Sequence, residues 1–219
     1  MQHASGGTDM VVETPCEHDL GETFDFDGQG RLHYRCAESL LRGNGELVGF
    51  PIKELVLTFD DGRSVVTRAS NTRGDDYVVL DAQGVEISRL DPRDVLNGTV
   101  TPVVWGASRS ANKGYVLFRH GLGTWGHEDP EYVAYRVDEN SQWQLIRRVS
   151  VDQFSTDALV ISDGRIFVNE RDPATTFDNQ IAVYHPDGRR EIVWREANAN
   201  TVRQHIGEQM LVGSKNTPR

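Results

Sequence analysis

The stretch that decides the fold is residues 157–196, DALVISDGRIFVNERDPATTFDNQIAVYHPDGRREIVWRE. Its first half holds two apolar runs, residues 158–161 and 165–168, on either side of a Ser-Asp-Gly turn. Its second half holds residues 180–184 and 189–194 on either side of Pro-Asp-Gly. These sequences favour tight turns because glycine reaches positive φ at little cost and the Asp side chain accepts hydrogen bonds from nearby amides. The stretch therefore predicts a four-stranded antiparallel meander of about forty residues.

The same pattern occurs twice more, upstream. A glycine precedes the second apolar run of each unit, at Gly62, Gly114 and Gly164, with spacings of 52 and 50 residues. Third strands follow at residues 77–80, 132–135 and 181–184, and fourth strands at 85–90, 143–149 and 189–194. A repeat of this length indicates a propeller or a solenoid. Three full units are thus predicted.

The two ends of the chain supply a fourth set of strands. Residues 201–209 and 210–214 have the pattern of a first and a second strand. Residues 22–30 and 31–34 have the pattern of a third and a fourth strand. Joined, the two ends would complete one more unit.

Over residues 22–214 this arrangement resembles the β-propeller families, in which one blade is commonly built from both termini, although the motif is generic and identifies no single family. The resemblance implies an all-β fold: a four-bladed β-propeller closed by pairing of N- and C-terminal strands in one blade. Residues 22–219 would form one domain, after an N-terminal extension of residues 1–21. A β-sandwich or two packed meanders is the alternative, because both also have short strands at this spacing. First strands such as residues 55–57 and 103–105 are apolar on both sides, which favours sheets covered on both faces.

Charge and hydropathy exclude two classes of partner. The formal net charge of −10 disfavours nucleic acid, because phosphates would be repelled, and it favours a basic protein partner. No apolar run approaches the 18 residues of a membrane span.

The two cysteines, Cys16 and Cys36, bear on localisation. The turn at residues 28–30 brings residues near 22 and 36 opposite each other, so Cys16 needs only a short loop to reach Cys36. A disulfide closing about 20 residues stabilises by on the order of 3 kcal/mol. A bridge would indicate a periplasmic or extracellular protein whose signal is absent from this sequence, whereas two unrelated buried thiols would leave a cytoplasmic location open.

In a propeller, the turns between strands 1 and 2 and between strands 3 and 4 lie on one face. Here those turns are short and alike. The other face receives long, irregular connections, at residues 37–53, 71–76, 91–101, 120–131, 170–179 and 196–201. Function is predicted on this second face because loops held by a rigid scaffold often carry binding residues.

The most distinctive connection is residues 120–131, HGLGTWGHEDPE. Trp125 provides a large amphipathic anchor of the kind found in interface hot spots, next to His127, Glu128 and Asp129. We predict a partner-binding surface that also includes three acidic residues, Glu131, Glu170 and Asp172. A metal or catalytic site is a weaker interpretation because adjacent residues rarely point at one ion, and a plain connecting loop is the third. Residues 25–30 resemble the start of a calcium loop but align with ordinary turns of the repeat, so a turn is predicted there.

No catalytic motif, phosphate loop or zinc motif is found, and no catalytic residue, cofactor or metal is predicted. The leading interpretation is a non-catalytic protein-binding module, such as a bacterial immunity or inhibitor protein that neutralises a secreted toxin or enzyme. A metal-dependent propeller hydrolase resembling a lactonase, and a glycan-binding lectin, are the alternatives. Repeated sugar sites are disfavoured because Trp125 has no counterpart in the matching loops.

Overall fold

The protein is described here as a computed structural model. It covers residues 23–36, 38–70, 74–91, 95, 102–120, 131–151, 157–172, 179–196, 202–206 and 209–212, the last two segments as backbone only. Within this part of the chain, no helix is long and apolar enough to cross a membrane.

The described segments contain eighteen β-strands, of which sixteen form four antiparallel four-stranded sheets in chain order. Blade A contains β1 (Phe24–Phe26), β2 (Leu32–Cys36), β3 (Ser39–Leu41) and β4 (Leu47–Val48). Blade B contains β5 (Glu54–Thr58), β6 (Ser64–Ser70), β7 (Gly74–Leu80) and β8 (Glu86–Leu90). Blade C contains β9 (Val103–Ser110), β10 (Lys113–His120), β11 (Glu131–Val137) and β12 (Trp143–Ser150). Blade D contains β13 (Asp157–Val160), β14 (Ile166–Arg171), β15 (Asn179–Tyr184) and β16 (Arg190–Glu196).

The sheets succeed one another as the blades of a propeller. The first strand of each blade lies beside the first strand of the next, in the order β1, β5, β9 and β13. Apolar side chains from facing sheets fill the seams between blades. The A/B seam contains Leu40, Ile52, Leu55 and Val78; the B/C seam Phe59, Tyr77, Phe118 and Tyr135; the C/D seam Tyr115, Tyr132, Ile166 and Tyr184. The predicted all-β fold with four four-stranded blades is confirmed.

The strand order within the first blade differs from the prediction. The segment predicted to supply a third and a fourth strand supplies the first two, β1 and β2, and β2 pairs with β3 directly downstream. Residues 37–53, predicted as one long loop, contain β3 and β4, which are joined by the Arg42–Glu46 turn. Strands of three and two residues are too short to show an alternating pattern, which is why the sequence conceals them.

The two ends of the chain do not share a sheet among the described strands. The predicted first and second strands near the C-terminus are present as a separate hairpin, β17 (Val202–Ile206) and β18 (Gln209–Val212), with β17 beside β13. The predicted closure, in which residues 22–34 pair with the segment around Met210, is not observed among the described strands. Several apolar side chains of blade A are exposed, and the exposed fraction of Phe24 is 62%.

Seven described turns share one hydrogen-bond pattern. In each, the amide of the first residue donates to the carbonyl of the fifth, and the amide of the fourth donates to the carbonyl of the first. The fourth residue always has positive φ, as in a type I turn followed by a bulge. It is Gly30, Gly45, Gly62, Gly84, Ser141, Gly164 or Gly188. The stereotyped turns predicted at residues 60–62, 82–84, 162–164 and 186–188 are thus confirmed.

Gly114 differs from Gly62 and Gly164, with which the repeat spacing aligns it. Gly114 lies inside β10, and the chain turns at Ala111 and Asn112 instead, with Ala111 at φ 45°. A Cβ at position 114 would lie 2.9 Å from the Phe59 ring. This glycine therefore permits close packing between blades and does not serve a turn.

Arginines tie the turns of neighbouring blades together. Arg42 of blade A donates to the carbonyls of Gly62 and Asp81 in blade B, the latter at 2.8 Å. Arg63 of blade B donates to the carbonyl of Asp138 in blade C at 3.0 Å. In the same way, Arg147 of blade C donates to the carbonyl of His185 in blade D at 2.7 Å. These bonds make the turn end of the blades a rigid base.

Candidate functional site

The two ends of the blades differ in construction. The turn face consists of the tight turns between strands 1 and 2 and between strands 3 and 4 of each blade. The long-loop face consists of the opposite strand ends, with the connections between strands 2 and 3 and between blades. Three strand 2 to strand 3 connections span residues 70–74, 120–131 and 171–179, whereas the fourth, between Cys36 and Ser39, is tight.

Most residues of the predicted binding loop lie outside the described residues. Trp125, His127, Glu128 and Asp129 belong to this group, so their role stays a prediction. Glu131 is the first residue of β11 and accepts a hydrogen bond of 2.9 Å from Arg148.

The other two predicted acidic residues are buried in blade D. Glu170 is 8% exposed, and its carboxylate accepts hydrogen bonds from Gln180 at 3.0 Å, from Tyr184 at 2.8 Å and from Arg190. Asp172 is 7% exposed and lies 3.7 Å from Arg195. Both carboxylates are therefore engaged within the blade, and a direct contact with a partner would require this network to open.

Charged side chains on the long-loop face are mostly paired with each other. The pairs are Lys53 with Asp75 (2.7 Å), Arg68 with Asp76 (2.9 Å), Arg148 with Glu131 (2.9 Å) and Arg195 with Asp172 (3.7 Å). The local charge of the described part of this face is thus nearly balanced, although the chain as a whole is acidic.

Arg119, near the end of β10, is the exception. No hydrogen bond or ion pair involves its side chain in the described structure, unlike Lys53, Arg68, Arg148 and Arg195 on the same face. Its guanidinium carbon instead lies 4.6 Å from the centroid of the Trp105 ring and 5.8 Å from that of Tyr132. The two rings are 6.2 Å apart and inclined at 58°. A cation held by two aromatic rings and not neutralised by a carboxylate is the clearest unsatisfied charge of the described structure.

Strand register brings this cluster together. Arg119 pairs with Val103 of β9 on one side and with Tyr132 of β11 on the other. A bulge at Leu117 and Phe118 shifts the β9 register just before this point. The cluster therefore lies at the mouth of the C/D seam, at the long-loop ends of β9, β10 and β11.

Three buried polar atoms at these strand ends have no hydrogen-bond partner within the described chain: the Tyr132 hydroxyl, Arg119 Nε and His120 Nδ1. Tyr132 is fully buried, and burial raises its pKa to about 12, with a smaller contribution from Asp157 and opposition from Arg119. The phenol thus stays protonated at neutral pH and can donate a hydrogen bond. They are three of thirteen such atoms in the described chain, and they mark a functional candidate because they lie beside the unpaired Arg119 cation.

Sequence reasoning did not select this cluster. Trp105 packs against the C/D core, as any apolar strand residue between blades would. Arg119 and Tyr132 are separated by the 121–130 segment, and only their cross-strand pairing brings them together. The available signal in the sequence was an arginine on the second strand, just before the glycine-rich loop.

A cleft on the same face lies at the A/B seam. It has a volume of about 320 Å³. Its walls are Arg35, Glu38, Pro51, Ile52, Lys53, Arg68 and Ala69. Arg68 already forms an ion pair with Asp76 and lies over the Phe50 ring. The cleft therefore has fewer unpaired charged groups for a ligand than the Arg119 cluster.

The calcium-like segment is a structural turn, as predicted. Both Asp27 carboxylate oxygens accept hydrogen bonds, from the amides of Gln29 and Arg31 at 2.9 Å and from the Arg31 guanidinium at 2.6 Å. Burial works against the charge, but these bonds and one from His33 outweigh it and hold the pKa of Asp27 well below its usual range. Among the described residues, no group of three or more His, Cys, Asp or Glu side chains is placed to hold a metal ion.

No protein-family model matches this chain, and no curated protein is similar to it. Solved structures with partial likeness include a putative TolB from Agrobacterium tumefaciens, at 13% identity and a TM-score of 0.47 over 82% of this chain and 62% of that one. A eukaryotic initiation factor matches at 13% identity and a TM-score of 0.44, over 80% of this chain and 42% of that one. The AtxE2 isopeptidase matches at 11% identity and a TM-score of 0.23, over 82% of this chain and 42% of that one. The chain spans about half the length of these proteins, and likenesses at this level carry no conclusion about family or activity.

Proposed function

We propose that this chain is a non-catalytic protein-binding module that engages its partner through the long-loop face. The observation that carries the proposal is the asymmetry between the two faces. Hydrogen-bonded turns and arginines brace the turn face, whereas the unpaired Arg119, Trp105 and Tyr132 cluster lies on the other. Trp, Tyr and Arg are the residues most enriched in interface hot spots.

The proposed partner is a secreted toxin or enzyme with a basic surface, which would make this chain an immunity or inhibitor protein. The net charge of −10 supports a basic partner because opposite net charges accelerate association. The predicted contacts from Trp125, His127, Glu128, Asp129 and Glu131 form part of the same proposal.

An exported location, periplasmic or extracellular, accompanies this proposal. Its support is the Cys16–Cys36 bridge, which stays a prediction because Cys16 lies outside the described residues. Cys36 is buried at the end of β2, and no free thiol occurs among the described residues.

The test is capture of a partner on the immobilised chain from the lysate and the secreted fraction of the source organism. Two matched variants of blade C determine which face binds. Ser150→Arg places a bulky charge at an exposed position of the long-loop face, and Asn140→Arg does so in an exposed turn. We expect Ser150→Arg to weaken capture at least tenfold and Asn140→Arg to leave it within twofold. The reverse pattern would overturn the assignment of the binding face.

A further inference from the structure

The unpaired cation of the long-loop face points to the chemistry of its ligand. We propose that Arg119, held between Trp105 and Tyr132, receives a carboxylate group from the bound protein partner. This inference rests on the proposed function and names the chemical group that the site recognises.

The first support is the geometry of the guanidinium group. The guanidinium carbon of Arg119 lies over the Trp105 ring, 4.6 Å from its centroid. The N–H donors of a guanidinium lie in its plane and point away from a stacked ring, where they can bind a carboxylate with two parallel hydrogen bonds. The cations with printed ion pairs on this face, Lys53, Arg68, Arg148 and Arg195, already pair with carboxylates.

The second support is the Tyr132 hydroxyl. It is fully buried beside Arg119, has no acceptor in the described chain and stays protonated at neutral pH. A buried donor without an acceptor costs free energy, which an incoming acceptor would restore. A carboxylate only accepts hydrogen bonds, so it can pair with Arg119, and it can satisfy the buried Tyr132 hydroxyl as well where the mouth of the seam opens on binding.

Other ligand types fit the cluster less well. A cation would be repelled by Arg119, and an apolar group would leave both donors unpaired. The nearby carboxylate of Glu131 already pairs with Arg148, and Asp157 has its own interaction. A basic partner is compatible with this contact, because net charge governs association at long range whereas single pairs fix the orientation of the docked complex.

Val103 offers an internal test of the proposal. It is 48% exposed and lies directly opposite Arg119 on β9. A glutamate at position 103 would place a carboxylate within reach of the guanidinium, as cross-strand pairs of opposite charge do. Val103→Glu should therefore occupy the site from within, whereas Val103→Gln should not.

The experiment is an NMR titration of the full chain that follows the Arg119 Nε–H signal. The probes are N-acetylglutamate amide for a side-chain carboxylate, N-acetylalanine for a C-terminal carboxylate, and neutral N-acetylglutamine amide as the control. We expect saturable shifts with one or both carboxylates and none with the neutral probe. The carboxylate that binds more tightly identifies the source. Absence of a saturable shift with both carboxylates would overturn the proposal.

Variants complete the test. Arg119→Gln and Val103→Glu should weaken carboxylate binding at least tenfold, while Val103→Gln should bind within twofold of the parent. Tyr132→Phe should bind several-fold more weakly although its Tm does not fall, because only an unpaired hydroxyl is removed. Equal binding by Val103→Glu and Val103→Gln would contradict the proposal. If a partner is captured and Ser150→Arg blocks it while carboxylate binding fails, the proposed function stands and this inference alone is lost.

Discussion

Arg109 and Asp25, which are 84 residues apart, form an ion pair of 2.9 Å between the first strands of blades C and A. The same Asp25 oxygen accepts a hydrogen bond of 2.6 Å from the amide of Thr58 in blade B, whose carbonyl accepts one of 2.5 Å from Arg109. Three successive blades thus meet at one carboxylate near the turn face. This junction is part of the rigid base on which the long-loop face is built.

Substitutions of Asp25 should lower the free energy of unfolding by different amounts, depending on whether the new side chain keeps a hydrogen-bond acceptor. Burial raises the pKa of Asp25 despite the Thr58 amide and Arg109, so the negative charge itself is held at some cost. Asp25→Ala leaves two donors without an acceptor and should destabilise by about 1–3 kcal/mol. Asp25→Asn keeps an acceptor and should lose less than half as much. Urea unfolding at pH 7 measures both, and equal losses would show that the charge, and not the acceptor, is what stabilises this junction.

Asp27 should show the opposite dependence on charge. Its pKa is lowered, so the stabilisation it gives is present above the ordinary value of 3.8 and is lost as pH falls through its folded-state pKa. Asp27→Asn should cost about 2–3 kcal/mol at pH 7, because bonds to Arg31 and His33 are lost. The difference from the parent should shrink as the pH falls below 3.8.

Asp163→Asn is the control for this prediction. Asp163 also accepts hydrogen bonds within a blade turn, from the amide and the guanidinium of Arg165, but it is the third residue of its turn and its side chain is 46% exposed. Its replacement should change stability by less than about 0.5 kcal/mol. A loss as large as that of Asp27→Asn would show that burial is not the cause of the difference.

Alanine substitutions at two glycines distinguish the cost of backbone strain from the cost of a clash between blades. Gly84 and Gly188 both have positive φ, of 83° and 95°, so alanine at either position should cost about 1–2 kcal/mol from backbone strain. A Cβ at position 84 would also lie 2.0 Å from Val48 of blade A, whereas nothing lies within 4 Å at position 188. Gly84→Ala should therefore destabilise by more than 3 kcal/mol in total. Thermal unfolding of the two variants tests whether position 84 is packed against Val48 at the A/B seam. Equal melting temperatures would contradict that packing.

Reduction tests the proposed bridge and with it the argument for export. A disulfide that closes about 20 residues should stabilise by on the order of 3 kcal/mol. Dithiothreitol should thus lower the Tm of the parent and leave a Cys16→Ser/Cys36→Ser double variant unchanged. If the parent has the same Tm with and without reductant, the predicted disulfide is wrong.

Turn chemistry allowed much of the fold to be predicted. Asp-Gly turns locate the hairpins of blades B and D because they require glycine at positive φ, and these turns occur as expected. Blade A was misassigned because strands of two and three residues carry no periodic pattern. The repeat spacing does not distinguish Gly114 from the turn glycines, because a glycine required for close packing has the same sequence signature as one required for a turn.

The candidate site depended on information that sequence spacing does not contain. Trp105, Arg119 and Tyr132 come from three strands, and a bulge at Trp105 of β9 sets which of their neighbours oppose each other. Nor does the sequence indicate that Arg119 is unpaired while Arg148 and Arg68 on the same face pair with Glu131 and Asp76.

Hydrogen–deuterium exchange of the complex with a captured partner tests the central claim most directly. We predict protection at the long-loop ends of β10 and β11, around Arg119 and Tyr132, and unchanged exchange in turns such as Asp138–Gln142. Protection confined to the turns, with exchange at Arg119 and Tyr132 unaltered by the partner, would contradict the account.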